Sequence, residues 1–129
     1  MFNIKPRVAV VENDPGILKA LERLLIAYGY HAETYSAAEL FLQRDAEVHL
    51  DCLLLDIMLD GMTGLDLQRI LHDTGNAPPI IFITGQSDSS TIRQAREMGC
   101  VAFLAKPFEA RALWEALNQA LDSGVEKCV

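Results

Sequence analysis

Val8-Ala9-Val10-Val11-Glu12-Asn13-Asp14-Pro15 changes character within eight residues, from a β-branched run to an acidic turn closed by proline. The run reads as a short buried strand. Asp followed by Pro reads as a helix N-cap and first helical position, where the missing amide hydrogen of proline costs nothing. Downstream, Ile17, Leu18, Leu21, Leu24, Leu25 and Tyr28 fall at i, i+1, i+4, i+7, i+8 and i+11, one apolar stripe of a helix. Gly29 then ends it. A strand followed directly by an amphipathic helix is the unit from which the rest of the chain is read.

The unit repeats. His31 to Tyr35 alternates polar and apolar residues, as a half-exposed strand near a sheet edge does, and Ser36 can cap a short helix to about Gln43. Asp51 to Leu55 is a continuous apolar run of the kind covered on both faces. A loop, Asp60-Gly61-Met62-Thr63-Gly64, leads to a helix over Leu65–Leu71 with Leu67, Ile70 and Leu71 on one side. Pro79 to Ile83 is a second buried strand, followed by a polar helix from about Asp88 to Met98. Val101 to Leu104 is the fifth strand and Glu109 to Leu121 the fifth helix, with Leu113, Leu117, Ala120 and Leu121 inward. Five strand–helix pairs without a long insertion predict an α/β fold whose sheet is parallel with right-handed crossovers. Five pairs fall short of the eight of a standard barrel, so the sheet is expected to be open and doubly wound.

The composition fits one such domain. The chain has 129 residues, 11 Lys or Arg against 18 Asp or Glu, and a net charge of −7. An acidic chain without a basic stripe is ill suited to grip nucleic acid. No apolar run approaches the roughly 20 residues of a membrane span, and the first residues lack the apolar core of a secretory signal. Cys52, Cys100 and Cys128 are odd in number and widely spaced, so two buried thiols and one exposed thiol in a reducing cytoplasm are expected rather than disulfides or a zinc site.

In an open parallel sheet, ligands bind beyond the carboxyl ends of the strands. The residues there are Glu12-Asn13-Asp14, Asp56, Thr84-Gly85 and Lys106-Pro107. Asp56 interrupts an otherwise apolar run from Cys52 to Leu59. Carboxylates crowded at one rim repel one another unless a cation joins them, and Mg²⁺ is a natural guest for hard oxygen ligands. A carboxylate can attack phosphorus and form an acyl phosphate. Lys106 would balance the charge of the phosphoryl oxygens, and the Thr84 hydroxyl could donate to them. Asp14 is read as a helix cap, Asp60 as solvated, and Gly61, Gly64, Gly85 and Gly99 as loop geometry.

Taken together, these pieces resemble the receiver domain of two-component response regulators. The resemblance runs from about Arg7 to Leu121, which makes residues 1–129 a single domain with 122–129 as a tail. It is carried by Val10-Val11-Glu12-Asn13-Asp14, Leu54-Leu55-Asp56-Ile57 before Gly61-Met62-Thr63-Gly64, Ile83-Thr84-Gly85, and Phe103-Leu104-Ala105-Lys106-Pro107-Phe108. It implies a flavodoxin-like sheet of strand order 2-1-3-4-5. It further implies that Asp56 accepts phosphate from a sensor histidine kinase or histidine phosphotransfer protein. Glu12, Asn13, Asp56 and the Met58 carbonyl would surround Mg²⁺, and Lys106 would contact the phosphate and precede a cis proline. Thr84 and Phe103 would form the switch, and Met58 and Gln86 would tune dephosphorylation. The fourth helix, fifth strand and fifth helix would signal to a downstream effector protein or form a homodimer, with Phe103 and Trp114 as candidate contacts. Two departures stand out. Asn13 replaces the second of two usual acids, and Asp60 replaces a usual proline four residues after the phosphoacceptor.

Two other functions fit parts of the sequence. A receiver-like module that binds its partner without phosphate draws on Asn13. An aspartyl phosphatase of the haloacid dehalogenase kind would place its nucleophile after the first strand and carry a cap, for which this chain has no room. No nucleotide-binding glycine motif occurs. With too few residues after the fifth helix for an output domain, the chain is expected to act through a partner or by self-association unless it is a fragment excised from a longer protein, and to be a binding switch rather than an enzyme in the usual sense.

Overall fold

A computed structural model describes residues 5–75, 77–85 and 89–123. The chain alternates β1 (Arg7–Val11), α1 (Pro15–Ala27), β2 (His31–Tyr35), α2 (Ala38–Phe41), β3 (Cys52–Asp56), α3 (Gly64–Thr74), β4 (Ile80–Thr84), α4 (Ser89–Glu97), β5 (Ala102–Ala105) and α5 (Ala110–Ser123). The strands form one parallel sheet in the order β2-β1-β3-β4-β5. The open doubly wound fold expected from the pattern is therefore present. β2 lies at an edge, as its alternation requires.

Successive residues of the central strands feed two separate cores, because side chains alternate across a strand. Val8, Val10, Cys52, Leu54, Ile81 and Ile83 pack with Leu21 and Leu25 of α1 and with Leu113, Ala116, Leu117 and Ala120 of α5. Ala9, Val11, Leu53, Leu55, Ile80 and Phe82 pack on the other face with Ala38, Phe41, Leu67, Leu71 and Ala95 of α2, α3 and α4. Burial on both faces explains why β3 and β4 read as unbroken apolar runs.

The first unit forms as its residues dictate. Asp14 Oδ1 accepts from the amides of Gly16 and Ile17 at 2.8 and 3.2 Å, with Pro15 opening the helix. At the far end, Gly29 takes φ 93°, and the Gly29 and Tyr30 amides donate to Ile26 and Leu25 carbonyls, the two bonds of a Schellman turn. The expected stripe faces inward, with Leu21 and Leu25 buried and the other four half-buried against the same core.

Several expectations need correction. Ser36 does not cap α2. The N-cap position is Ala37, which makes no side-chain cap, and the helix is a single turn, Ala38–Phe41. In α3 the Thr63 hydroxyl and Asp66 carboxylate form a reciprocal capping box, so the helix starts at Gly64 and runs on to Thr74. Its buried face is Leu67, Gln68 and Leu71, with Ile70 only half-buried. β3 and β4 each reach one residue further than expected, because Asp56 pairs with Ile83 and Thr84 with Ala105. Cys52 and Cys100 are buried thiols, as expected, and burial pushes the Cys52 thiol up to about 12. Cys128, Gln86 and the expected helix start at Asp88 lie outside the described residues.

Candidate functional site

The carboxyl ends of β1, β3, β4 and β5 meet at one rim of the sheet. The registers Val11↔Leu55, Asp56↔Ile83 and Thr84↔Ala105 bring Glu12, Asp56, Thr84 and Lys106 into neighbouring positions. Beyond them opens a cleft of ≈ 580 Å³ lined by Glu12, Asn13, Asp14, Asp56, Met58 and Lys106, among others. Glu12 and Asp56 are 0% and 1% exposed and Thr84 is 3% exposed, an uncommon burial for polar side chains at a strand end.

Lys106 joins the acids. Its Nζ stands 2.8 Å from Glu12 Oε1 and 2.9 Å from Asp56 Oδ2, while its side chain stays 20% exposed toward the cleft. The remaining carboxylate oxygens take backbone donors. Glu12 Oε2 accepts from the Asp14 amide at 3.0 Å, and Asp56 Oδ1 accepts from the Met58 amide at 3.0 Å. Burial pushes the Glu12 carboxyl up, an effect that Lys106 opposes and the nearby Asp56 reinforces. Burial also disfavours the charged Lys106, but its bonds to Glu12 and Asp56 outweigh that and hold the ammonium above its ordinary value. The peptide between Lys106 and Pro107 is cis, as the resemblance implied, and the Lys106 amide donates to the Thr84 carbonyl at 2.8 Å.

Behind Asp56 the backbone is held by close packing. The Gly64 amide donates to the Ile57 carbonyl at 3.0 Å. A Cβ on Gly64 would collide with the Asp56 carbonyl oxygen and lie 2.8 Å from Ile57 Cα. Gly64 is thus needed for the approach of α3 to the strand end, whereas Gly61 and Gly99 take positive φ in their turns. Phe103 sits half-buried, stacked on Phe82 at 5.4 Å, with the Arg96 guanidinium 6.0 Å from its ring. Trp114 lies on α5, 40% exposed, with its edge against Tyr28.

Asp60 is exposed, as expected of a solvated loop charge, and its Oδ2 also accepts from Asn13 Nδ2 at 3.3 Å. The side chains of the rim that could bind a cation are oxygen donors: the Glu12 and Asp56 carboxylates and the Asn13 amide, with Asp14 and Met58 also lining the cleft. Among the described residues no three His, Cys, Asp or Glu side chains form a ready-made metal cluster. An all-oxygen set of this kind still fits Mg²⁺, which keeps several waters and is commonly held by one or two carboxylates.

The response regulator receiver domain model matches residues 8–118. The chain belongs to the response regulator receiver family. It is 35% identical over 114 residues to the response regulator protein TmoT of Ectopseudomonas mendocina, covering 88% of this chain and 52% of that protein. It is 36% identical over 114 residues to the response regulator protein TodT of Pseudomonas putida, covering 88% and 50%. The receiver thus spans about half the length of the curated relatives it matches. Among solved structures, a CheY-like response regulator receiver domain protein from Methanospirillum hungatei JF-1 superposes with a TM-score of 0.87 at 26% identity, covering 93% of this chain and 96% of that one. Receivers are signalling domains whose general role is to accept a phosphoryl group. No helix among the described residues of this receiver is long and apolar enough to cross a membrane.

Proposed function

We propose that Asp56 takes a phosphoryl group from the phosphohistidine of a sensor histidine kinase or phosphotransfer protein, in the cytoplasm, and that the modified receiver changes its affinity for an effector. The observation that carries this reading is the Lys106 ammonium bridging two buried carboxylates at the floor of an open cleft. An Asp56 oxygen attacks phosphorus, the P–N bond breaks, and its electron pair returns to the imidazole, which takes a proton from solvent. Lys106, already within 2.9 Å of Asp56, compensates the added negative charge. Glu12, Asn13, Asp56 and the Met58 carbonyl would hold Mg²⁺, which supplies positive charge to the phosphoryl oxygens. The Thr84 hydroxyl donates to the new phosphoryl group. Phe103 turns inward with it, shifting the face formed by α4, β5 and α5. The acyl phosphate is lost when water attacks phosphorus, so the domain assists its own dephosphorylation. The receiver unit is taken as about residues 7–121, with an effector or a second copy docking through the α4-β5-α5 face.

The test is intact mass after incubation with acetyl phosphate, with and without Mg²⁺, beside Asp56→Ala. One added phosphate that requires both Mg²⁺ and Asp56 is the expected result. No adduct, together with no binding of beryllofluoride, would move the reading to a module that binds its partner without phosphate.

A further inference from the structure

The two side chains that set this rim apart, Asn13 and Asp60, come from different loops and touch each other. Asn13 Nδ2 donates to Asp60 Oδ2 at 3.3 Å. A carboxylate only accepts, so the amide nitrogen is the end turned to Asp60, and the amide oxygen is left as the free end of a side chain that lines the cleft. Charge points the same way. Two buried carboxylates and one ammonium leave the floor of the cleft with a single net negative charge. Asp14 also lines the cleft, but its carboxylate is turned to the start of α1, where Oδ1 accepts from the Gly16 and Ile17 amides, and it makes no bond to Asn13. Asp60 is the acid in direct contact with Asn13, and so adds a negative charge beside the one side chain of the set that lacks it.

We infer that Asp60 is a positioning residue of the cation site: it orients the Asn13 amide oxygen toward the metal and supplies the charge that Asn13 lacks. The inference rests on the proposed Mg²⁺ site and concerns this chain's own way of completing it. Partners of metal ligands in the next shell are commonly worth about 10–100-fold in metal affinity. Asp60 is exposed, so the lower end of that range applies.

Isothermal titration of MgCl₂, without any phosphodonor, reads this directly, with circular dichroism confirming that each variant is folded. Asp60→Asn keeps an acceptor for Asn13 and removes the charge, and should weaken Mg²⁺ binding about tenfold. Asp60→Ala removes both and should weaken it further. In an Asn13→Asp background, where the ligand carries its own charge, Asp60→Asn should cost much less. A purely structural role for Asp60 would give the same loss in both backgrounds, and that result overturns the inference. So does an unchanged Mg²⁺ affinity in Asp60→Asn; if the wild-type chain still takes phosphate from acetyl phosphate, the proposed function stands without it. A wild-type chain that binds no Mg²⁺ overturns both.

Discussion

Lys106→Met keeps most of the aliphatic stem and removes the ammonium that faces two buried acids. Removing one partner of a buried ion pair typically costs about 3–5 kcal/mol, because the remaining charge is left without compensation. Here two anions are stranded, which raises the cost; the cleft admits water to a side chain that is 20% exposed, which lowers it. A loss of about 3 kcal/mol near pH 7.5 is expected, read from the urea midpoint at unchanged slope. The loss should depend on pH. Burial already holds the Glu12 carboxyl above the usual carboxylate range, with Lys106 as the main opposing influence. An acid whose value is raised in the folded state binds its proton more tightly when folded, so stability is gained as pH falls through that raised value. Without Lys106 the value rises further, and the deficit should shrink as pH falls from neutrality toward the usual carboxylate range. A deficit below about 1 kcal/mol, or one that stays the same as pH falls, would refute the electrostatic account and leave only lost packing.

Gly64→Ala should destabilise the chain by about 1–3 kcal/mol, since its Cβ meets the backbone of Asp56 and Ile57 rather than a flexible side chain. It should also slow the uptake of phosphate from acetyl phosphate; a folded variant with wild-type stability would sink the close-approach argument. Glu33 is held down to about 2, first by its bonds to Arg44 and against the effect of burial. Its contribution to stability is present above its ordinary value of 4.5 and is lost as pH falls toward about 2. Glu33→Gln should therefore cost about 1–2 kcal/mol at neutral pH after screening, and nothing near pH 2, as read from urea midpoints across that range.

How legible the molecule is in its sequence differs from element to element. β1 and α1 are legible because their determinants are local: a cap at Asp14, Pro15 after it, and one apolar period ending at Gly29. Asp56, Thr84 and Lys106 are legible as candidates because the parallel topology brings strand ends together, and the geometry does so. The features that the sequence hides depend on partners distant along the chain. Gln68 looks like a surface residue of α3, yet it is 1% exposed because its amide donates to the carbonyls of Ala95 and Gly99. Asp60 reads as a loop charge until folding places it beside Asn13. Ser36 has the right chemistry for a cap, but the chain stays extended through Ala37 and the helix begins beyond its reach. For Gly64, nothing in the sequence separates a glycine needed for close approach from one needed for a turn.

The way α4 is attached bears on how the domain can move. Among its nine residues only Ala95 is fully buried, and the α3 side chain of Gln68 bonds to the carbonyl at that same residue. By contrast α5 sinks Leu113, Ala116, Leu117 and Ala120 into the core. Local opening free energy follows such buried apolar contact, so the amides of α4 should exchange with solvent through openings that leave the sheet intact, while those of α5 exchange only when the domain unfolds. A ligand that prefers a displaced α4 needs little differential affinity to populate it. The same displacement of α5 would pull Leu113, Ala116, Leu117 and Ala120 out of the core.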